Sequence, residues 1–235
     1  MGSTRLPGKV LKPIAGRPMF SYQIERLRLV KRAQLMIVAT TRNKEDDSIV
    51  EFCGREQVPF TRGSEFDVLS RYYEAAVTFN ATTVVRITSD CPLLDPELVD
   101  AAIEQFQSAG CDYLSNMIEP TWPYGMAVEV MSTAALAEAH HNAVDGQERE
   151  HVTPYIYWRP EKFRIRSMTR SQDLSGYRLT VDTREDLDLV SLIIEALHAR
   201  QPQFNLEDVV ALLHAHPEWL KINEHIQQKS VNQKA

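Results

Sequence analysis

The sequence predicts an α/β protein in which a mostly parallel sheet is covered by helices on both faces. Three observations support this class. Short apolar runs typical of buried strands alternate with amphipathic helical segments through the first half of the chain. Residues that favour helix starts precede several of these segments. The 235 residues are enough to bury a core without disulfides or structural metal.

The first half of the chain alternates regularly between helix and strand. A helix begins near Pro18, where a missing backbone N–H costs nothing, and residues 35–39 form the strand that follows. The later elements are a helix over 46–55, an extended segment at 58–60, a helix over 67–79, a strand over 83–87 and a helix capped by Asp95 that reaches 107.

The second half is less regular and contains what we interpret as an insertion. Strands are expected at 112–115, 126–130 and 163–167, with two helices between the last two. Residues 112–167 would then form a substrate and dimer insertion. Residues 179–182 are predicted as the final strand, and Thr183 with Asp186 forms a capping box for the helix that follows.

Composition limits the class of protein. The net charge of −6 and the pI near 5.7 argue against binding to nucleic acid by bulk attraction. No run approaches the roughly 20 apolar residues that cross a bilayer. The three cysteines lack CxxC spacing, which favours a reducing compartment. We therefore expect a cytoplasmic protein with a single domain over 1–222 and a polar tail over 223–235.

The first nine residues form a loop of small residues that carries two cations. Gly2 and Gly8 allow close backbone approach, while Arg5 and Lys9 can donate charge-assisted hydrogen bonds to a polyphosphate. A P-loop is excluded because five residues separate the glycines and Val10 follows the lysine. The dinucleotide fingerprint is also missing, so no nicotinamide or flavin cofactor is indicated.

Two acidic residues follow apolar strands far apart in the sequence. Asp90 comes after the strand at 83–87, and Asp182 ends the strand predicted at 179–182. If these strands are neighbours in a parallel sheet, both carboxylates lie at the sheet edge that carries the loop. Mg²⁺ prefers hard oxygen ligands and combines one or two carboxylates with phosphate oxygens. The residues therefore suggest a magnesium-assisted attack on a nucleotide phosphate.

Several runs of residues, taken in order, carry a resemblance to a known family. They are Ser-Thr-Arg-Leu-Pro-Gly-Lys at 3–9, Arg-Gly-Ser at 62–64, Asp-Val-Leu at 67–69, Arg-Tyr at 71–72, Ser-Asp-Cys-Pro-Leu at 89–93, Arg-Glu-His-Val-Thr at 149–153 and Val-Asp-Thr-Arg-Glu-Asp-Leu at 181–187. The chain resembles the cytidylyltransferases that activate acidic sugars such as 3-deoxy-manno-octulosonate and acylneuraminate. The spore-coat polysaccharide biosynthesis protein F type is the most similar.

This resemblance implies a three-layer nucleotide-diphospho-sugar transferase fold, Rossmann-like, with a mixed and mostly parallel sheet. It implies that CTP and a sugar react to give a CMP-sugar and pyrophosphate, for polysaccharide or surface glycan synthesis, and we expect a homodimer. Relatives carry an apolar strand directly ahead of the position of Met1, so an N-terminal strand is expected to be missing here. They also often carry an acidic residue where Ala127 stands.

The resemblance also assigns roles to residues. The expected nucleotide-binding residues are Gly2, Ser3, Thr4, Arg5, Lys9, Gly63 and Ser64. Arg5 and Lys9 would hold the triphosphate, and Asp90 and Asp182 would hold Mg²⁺. Candidate sugar-binding residues are Glu129, Arg149 and His151.

Other interpretations of the same residues remain open. Asp182 also fits a helix cap, and isolated basic residues such as Arg5 and Lys9 are usually solvated surface charges. A second enzyme class would use a sugar phosphate or an alditol phosphate as acceptor. A glycosyltransferase and a nucleotide-binding protein without turnover complete the alternatives.

Overall fold

The computed structural model describes residues 1–228. The α-helices are α1 Met19–Leu27, α2 Asp47–Glu56, α3 Val68–Thr78, α4 Pro96–Ala109, α5 Thr133–Asn142, α6 Gly146–His151, α7 Pro154–Tyr157, α8 Arg184–Leu197 and α9 Leu206–Ala215. The strands are β1 Pro13–Ile14, β2 Arg17–Pro18, β3 Val38–Thr41, β4 Phe60–Gly63, β5 Thr83–Arg86, β6 Tyr113–Ser115, β7 Glu129–Ser132 and β8 Ile165–Ser167. Short 3-10 turns cover Lys9–Leu11, Lys44–Asp46 and Pro217–Ile222.

The strands form a mixed arrangement. The order β5-β7-β6-β8 defines a four-stranded sheet in which β7 runs antiparallel to β5 and β6, while β8 is parallel to β6. β3 and β4 form a separate parallel pair, and β1 and β2 an antiparallel one. Three strands from 112–167 thus belong to the same sheet as β5. The predicted α/β class with a mixed sheet is confirmed. The expectation that the sheet is mostly parallel is not, because three of the five strand pairs within residues 1–228 are antiparallel.

The four-stranded sheet separates two apolar cores. Leu114 and Val130 point into a core that contains the buried faces of α1, α4, α8 and α9. Their sequence neighbours Tyr113 and Met131 point into a second core with residues of α3, α5 and α7. Because successive side chains of a strand alternate between faces, the sheet is a middle layer with helices on both sides.

Helix starts follow the sequence-based predictions closely. The Asp95 carboxylate accepts a hydrogen bond from Glu97 N at 2.9 Å and caps α4. The capping box at the start of α8 is also present, since Thr183 and Asp186 exchange side-chain to backbone hydrogen bonds of 3.3 and 3.0 Å. These caps satisfy backbone N–H groups that a helix leaves unpaired in its first turn.

The strand predictions need correction. The expected strand at 35–39 is found at Val38–Thr41, and β4 begins at Phe60, where the segment 58–60 was expected to end. The prediction of a strand at 179–182 is wrong. Leu179 N donates to Tyr124 O at 2.7 Å and Val181 N to Asp90 O at 2.9 Å. Because the N–H groups of Leu179 and Val181 bond to different segments, residues 179–182 form no ladder, although an isolated parallel bridge joins Tyr124 and Arg178 just before them.

A gap lies between the two sheets. Within residues 1–228, β3 pairs with β4 alone and β5 with β7 alone, so each presents an unpaired edge. A cavity of about 330 Å³ lies between them, lined by Val38, Ala39, Val85 and Ile87 among other apolar residues. Residues of both β3 and β5 thus line one cavity.

The chain end packs against the domain at the start of the predicted tail. Asn223 is buried and donates to Arg178 O at 3.1 Å and to Asp186 Oδ1 at 2.9 Å. The part of the predicted tail over 229–235 lies outside the described residues. None of the helices between residues 1 and 228 combines the length and apolar character needed to cross a bilayer.

Candidate nucleotide and metal site

The N-terminal loop is closed by its own hydrogen bonds. Gly8 N donates to Met1 O at 3.2 Å, and the Met1 amino group pairs with Asp46 Oδ1 at 2.5 Å. Gly8 has φ of 67°, a left-handed conformation that glycine adopts without strain, and it begins the 3-10 turn that carries Lys9. The glycine predicted to shape this loop therefore sets the direction of the lysine backbone.

Lys9 joins the two predicted acids. Its ammonium donates to Asp90 Oδ2 at 2.8 Å and to Asp182 Oδ1 at 2.9 Å, and the Arg5 guanidinium lies 2.9 Å from Asp182 Oδ2. We call Arg5, Lys9, Asp90 and Asp182 the loop cluster. The Lys9 and Asp182 side chains are only 13% and 16% exposed. Burial alone would lower the pKa of Lys9, but the two carboxylates raise it above its ordinary value.

A second arginine fixes the position of Asp182. Arg178 donates from Nε to Asp186 Oδ1 and from Nη2 to Asp186 Oδ2, both at 2.9 Å, and its Nη2 also reaches Asp182 Oδ2 at 3.0 Å. Burial would raise the pKa of Asp182, but hydrogen bonding and charge from Lys9, Arg5 and Arg178 bring it below its ordinary value. The carboxylate is therefore held ionised and oriented.

Asp90 lies in the turn after β5 and is held from its other side. Thr88 Oγ1 donates to Asp90 Oδ1 at 2.5 Å, which leaves Oδ2 for Lys9. The backbone bond from Val181 N to Asp90 O ties this turn to the extended segment that ends at Asp182. The sequence predicted that Asp90 and Asp182 come together at the ends of neighbouring strands. In the structure, this backbone hydrogen bond brings them together instead.

Gly125 allows a loop to pack closely against the segment before Asp182. Its φ is 100°, and a Cβ there would lie 2.5 Å from the Leu179 carbonyl carbon and 2.6 Å from Thr180 N. Both atoms belong to the backbone and cannot rotate away. Only glycine fits where the two backbones meet, and this close contact helps to position the segment that leads to Asp182.

The residues of the loop cluster fit a divalent cation. Asp90 and Asp182 already share one cation, the Lys9 ammonium, at hydrogen-bonding distance. Within residues 1–228 no group of three or more His, Cys, Asp or Glu side chains is arranged to hold a metal. A site with two carboxylates suits Mg²⁺, which takes its remaining ligands from phosphate oxygens and water.

The other predicted nucleotide residues lie near the same edge. Gly63 ends β4, and Ser64 accepts a hydrogen bond from Asp67 N at 3.2 Å. The Gly2 backbone packs near Glu65, with 3.6 Å between a Cβ built on it and Glu65 Oε1. The loop before α3 and the N-terminal loop are therefore neighbours. Ser3 and Thr4 lie in the N-terminal loop, and Ser3 Oγ accepts a hydrogen bond from Leu6 N at 3.3 Å.

Glu129 belongs to a second polar cluster on the sheet. Its carboxylate pairs with Arg86 and accepts hydrogen bonds from Tyr113 Oη at 2.6 Å and Thr153 Oγ1 at 2.5 Å. We call Arg86, Tyr113, Glu129 and Thr153 the sheet cluster. Both carboxylate oxygens have partners on neighbouring elements, so the Glu129 side chain is held in one orientation. Its contact with a sugar stays a prediction.

A strained turn joins His151 to this cluster. Val152 has φ of 74° and ψ of −56°, and Thr153 N donates to His151 O at 2.9 Å, which defines the rare γ-turn. A β-branched residue in this conformation marks strain of the kind found at functional sites. Burial lowers the pKa of His151, with Glu150 and Arg86 among the nearby charges. The imidazole is therefore favoured in its neutral form.

Arg149 has a different setting from its predicted partners. It forms an ion pair with Asp67 at the start of α3 and donates from Nη1 to His140 O at 2.6 Å. Its guanidinium thus links α6 to α3 and α5. The structure brings Arg5, Lys9, Asp90 and Asp182 together, with Glu129 and His151 in a separate group and Arg149 in a third.

Sequence reasoning missed the residues that support these groups. Arg86 and Tyr113 carry no motif, because their partner Glu129 lies on a neighbouring strand. Arg178 pairs with Asp182 and Asp186, four and eight residues later, and this spacing matches no motif. Asp186 was found only as a helix cap. Its pairing with Arg178, eight residues earlier, was not predicted.

Comparisons with known proteins address the family directly. A family model described as cytidylyltransferase matches residues 1–226. The chain belongs to the cytidylyltransferase family. An uncharacterized protein of Methanocaldococcus jannaschii is 37% identical over 233 residues, covering 97% of this chain and 93% of that protein. The spore coat polysaccharide biosynthesis protein SpsF of Bacillus subtilis is 30% identical, covering 93% and 92%.

Further relatives and solved structures agree with this membership. The 3-deoxy-manno-octulosonate cytidylyltransferase of Solibacter usitatus is 26% identical over 231 residues, covering 83% of this chain and 91% of that one. The structure of a cytidylyltransferase from Leptospira borgpetersenii serovar Hardjo-bovis superimposes with a TM-score of 0.89 at 31% identity, covering 99% and 95%. A CMP-2-keto-3-deoxy-manno-octonic acid synthetase complexed with CTP shares the fold, with a TM-score of 0.64 at 17% identity, covering 83% and 95%. The predicted Rossmann-like nucleotide-sugar transferase fold is confirmed.

Proposed function

We propose that this chain transfers the cytidylyl group of CTP to an acidic sugar, giving a CMP-sugar and pyrophosphate for polysaccharide or surface glycan synthesis. The observation that carries the proposal is the convergence of the two loop cations on Asp90 and Asp182. Family membership supports the nucleotide, and the relative named for 3-deoxy-manno-octulosonate supports the acidic sugar. The acidic sequence without CxxC pairs fits a cytoplasmic enzyme.

The reaction is a displacement at phosphorus. A sugar hydroxyl oxygen forms a bond to the α-phosphorus, the bond to the bridging oxygen breaks, and pyrophosphate leaves while the hydroxyl proton passes to solvent. Negative charge grows on the phosphate oxygens during this step. Arg5 and Lys9 offset it from fixed positions, and their effect is larger in the transition state than in the bound substrate.

Asp90 and Asp182 are the residues that would hold Mg²⁺. When bound there, the ion would neutralise charge on the phosphate oxygens of the nucleotide. Arg178 and Asp186 keep the Asp182 carboxylate in place through the buried hydrogen bonds between them. The loop with Gly2, Ser3 and Thr4 and the pair Gly63 and Ser64 form the rest of the nucleotide site.

We assign sugar recognition to residues 112–167. His151 lies at the strained turn and is the direct contact in this proposal, while Glu129 and Arg149 hold that turn and its helix in place. A His151→Gln variant should therefore raise KM for the sugar by about tenfold with KM for CTP unchanged. An equal change in both values would contradict the assignment.

Pyrophosphate release measured with a matrix of nucleotides and acceptors tests the function. CTP with a sugar acid should give the highest rate, and Asp182→Asn should abolish it. Asp188→Asn is the matched control, because Asp188 lies six residues further on in α8, is 48% exposed and pairs with Arg184 at the surface. Preference for a sugar phosphate, for an alditol phosphate or for sugar transfer without pyrophosphate would support the alternative enzymes. CTP binding without turnover would support a nucleotide-binding protein.

We also propose a homodimer. In the aromatic segments 155–158 and 122–124, the side chains of Tyr157, Trp158, Trp122 and Tyr124 are partly exposed, and aromatic side chains anchor many interfaces. Light scattering at micromolar concentration should give twice the mass of 26.8 kDa. A monomeric mass would contradict this part of the proposal.

A further inference from the structure

Lys9 occupies the position that the proposed metal ion requires. Its ammonium is hydrogen-bonded to one oxygen of each carboxylate, Asp90 Oδ2 at 2.8 Å and Asp182 Oδ1 at 2.9 Å. A divalent cation shared by these two acids needs oxygens from the same carboxylates. The lysine side chain and a metal ion therefore compete for one place.

The charges in direct contact already balance without a metal. Three carboxylates, Asp90, Asp182 and Asp186, are paired with three cations, Lys9, Arg5 and Arg178. A divalent ion added to this set would leave an excess of positive charge in a largely buried site, which is costly. A triphosphate carries enough negative charge to reverse that excess. Metal and nucleotide should therefore favour each other at this site.

The cations differ in how firmly they are held. Arg178 is buried and tied to Asp186 by two hydrogen bonds, so it cannot follow a ligand. Lys9 carries a compact charge on a flexible four-carbon side chain and reaches its acceptors from the N-terminal loop. It can exchange its carboxylate partners for phosphate oxygens by rotating its side chain. That exchange would release Asp90 Oδ2 and Asp182 Oδ1.

We propose that Lys9 is a built-in counter-ion that closes the Asp90 and Asp182 pair to divalent cations until a polyphosphate withdraws it. Nucleotide then binds before the metal or together with it, and metal alone binds weakly. This inference rests on the proposed function, because it assumes that the pair holds a divalent ion. By reciprocity, bound metal must also strengthen nucleotide binding by the same factor.

Mn²⁺ titration without nucleotide tests the closed state. Free Mn²⁺ is counted from its electron paramagnetic resonance signal, with wild type and Lys9→Met compared directly. The variant should bind Mn²⁺ at least about tenfold more tightly than wild type, a typical size for coupling between sites. Lys31→Met, at an exposed lysine after α1, should match wild type. The double variant Lys9→Met with Asp182→Asn should lose the gain, which locates it at this pair.

Calorimetric titration with CTP in the presence of EDTA tests whether Lys9 contacts the nucleotide when no metal is bound. Wild type should bind CTP without a divalent ion, and Lys9→Met should bind it about tenfold more weakly because a phosphate contact is lost. The two affinities of one variant thus change in opposite directions, whereas a misfolded protein would lose both. Lys9→Gln repeats both titrations if Lys9→Met lacks the wild-type circular dichroism spectrum.

Equal Mn²⁺ affinity for wild type and a folded Lys9 variant would overturn the proposal, and so would unchanged CTP affinity. Failure of the proposed function looks different, since wild type would then release no pyrophosphate from CTP with any acceptor. If Lys9→Met gains Mn²⁺ affinity but the wild type shows no turnover, the counter-ion role of Lys9 stands and the proposed function falls. If the wild type turns over but Lys9→Met gains no Mn²⁺ affinity, the proposed function stands and the counter-ion role falls.

Discussion

The loop cluster and the sheet cluster both surround carboxylates with cations, yet their partners are attached differently. In the loop cluster Lys9 and Arg5 come from the N-terminal loop and can move to a ligand. In the sheet cluster Arg86 and Tyr113 come from strands paired to the strand of Glu129, so their positions are fixed by the ladder. We infer that the attachment of the cation, more than the burial of the pair, separates a carboxylate available to a ligand from one that stabilises the fold.

The largest predicted effect is a loss of turnover on substitution in the loop cluster. Asp90→Asn should lower pyrophosphate release on the order of 10²-fold or more, because a charge that orders the triphosphate and metal is removed. Unfolding by urea should change by less than about 1 kcal/mol, since Asp90 is 22% exposed and its ion pair is partly solvated. Asp188→Asn is the control. Near-normal turnover in Asp90→Asn would remove this residue from the metal site.

The opposite pattern is expected in the sheet cluster. Glu129→Gln should lower the free energy of unfolding by about 3 kcal/mol, because it leaves the Arg86 guanidinium with its charge unpaired beside the core. Glu138→Gln, at a glutamate that is 45% exposed on α5, should change stability by less than about 0.5 kcal/mol. Urea melts of both variants measure this. A stable Glu129→Gln with a large loss of activity would reverse the assignment of the two clusters.

Much of this arrangement was predictable, and the reason differs by element. Caps at Asp95 and Thr183 were found because their hydrogen bonds are local in sequence. The convergence of Asp90 and Asp182 was also predicted, but on the wrong ground, since Asp182 follows an extended segment and ends no strand. Arg86 was missed because its pairing with Glu129 depends on the alignment of two strands far apart in the sequence. Arg178 was missed because an arginine eight residues before a capping acid forms no motif.

The pH dependence of stability tests the role of Asp186, which holds Arg178 next to the loop cluster. Burial would raise its pKa, but hydrogen bonds from Arg178 and Asn223 bring it below the ordinary value of 3.8. Its stabilisation is therefore fully present above pH 3.8 and is lost as the pH falls through the lower folded pKa. Asp186→Asn should be destabilised by about 2 kcal/mol at pH 7, and the difference from wild type should narrow below pH 4.

Thermal melts between pH 7 and pH 2 measure this narrowing. Asp188→Asn, on the solvent side of the same helix, serves as the control and should follow wild type across the range. A constant difference between Asp186→Asn and wild type down to pH 2 would show that the carboxylate charge has no part in the stabilisation.

The smallest effect is expected at the gap between β3 and β5, which lies between the two clusters. Thr88 and Ser89 line it next to Asp90, and Arg86 lines it next to Glu129. Among residues 1–228, Gln23 Oε1, Arg71 Nε and Arg86 Nε are buried without a hydrogen-bond partner, and all three residues line this cavity. Orphaned polar atoms beside two unpaired strand edges indicate room for one more extended segment.

An extended apolar peptide of about five residues, added at millimolar concentration, should therefore raise the melting temperature by about 2 to 4 °C, the shift expected from about 1 kcal/mol in a domain of this size. The same peptide with a central proline, which cannot donate to the ladder, is the control. The melting temperature of Glu129→Gln should rise less with the same peptide, because Arg86, which lines the cavity, has lost its carboxylate partner. Equal shifts with both peptides would mean that the gap accepts no strand and that the edges of β3 and β5 are stable as they stand.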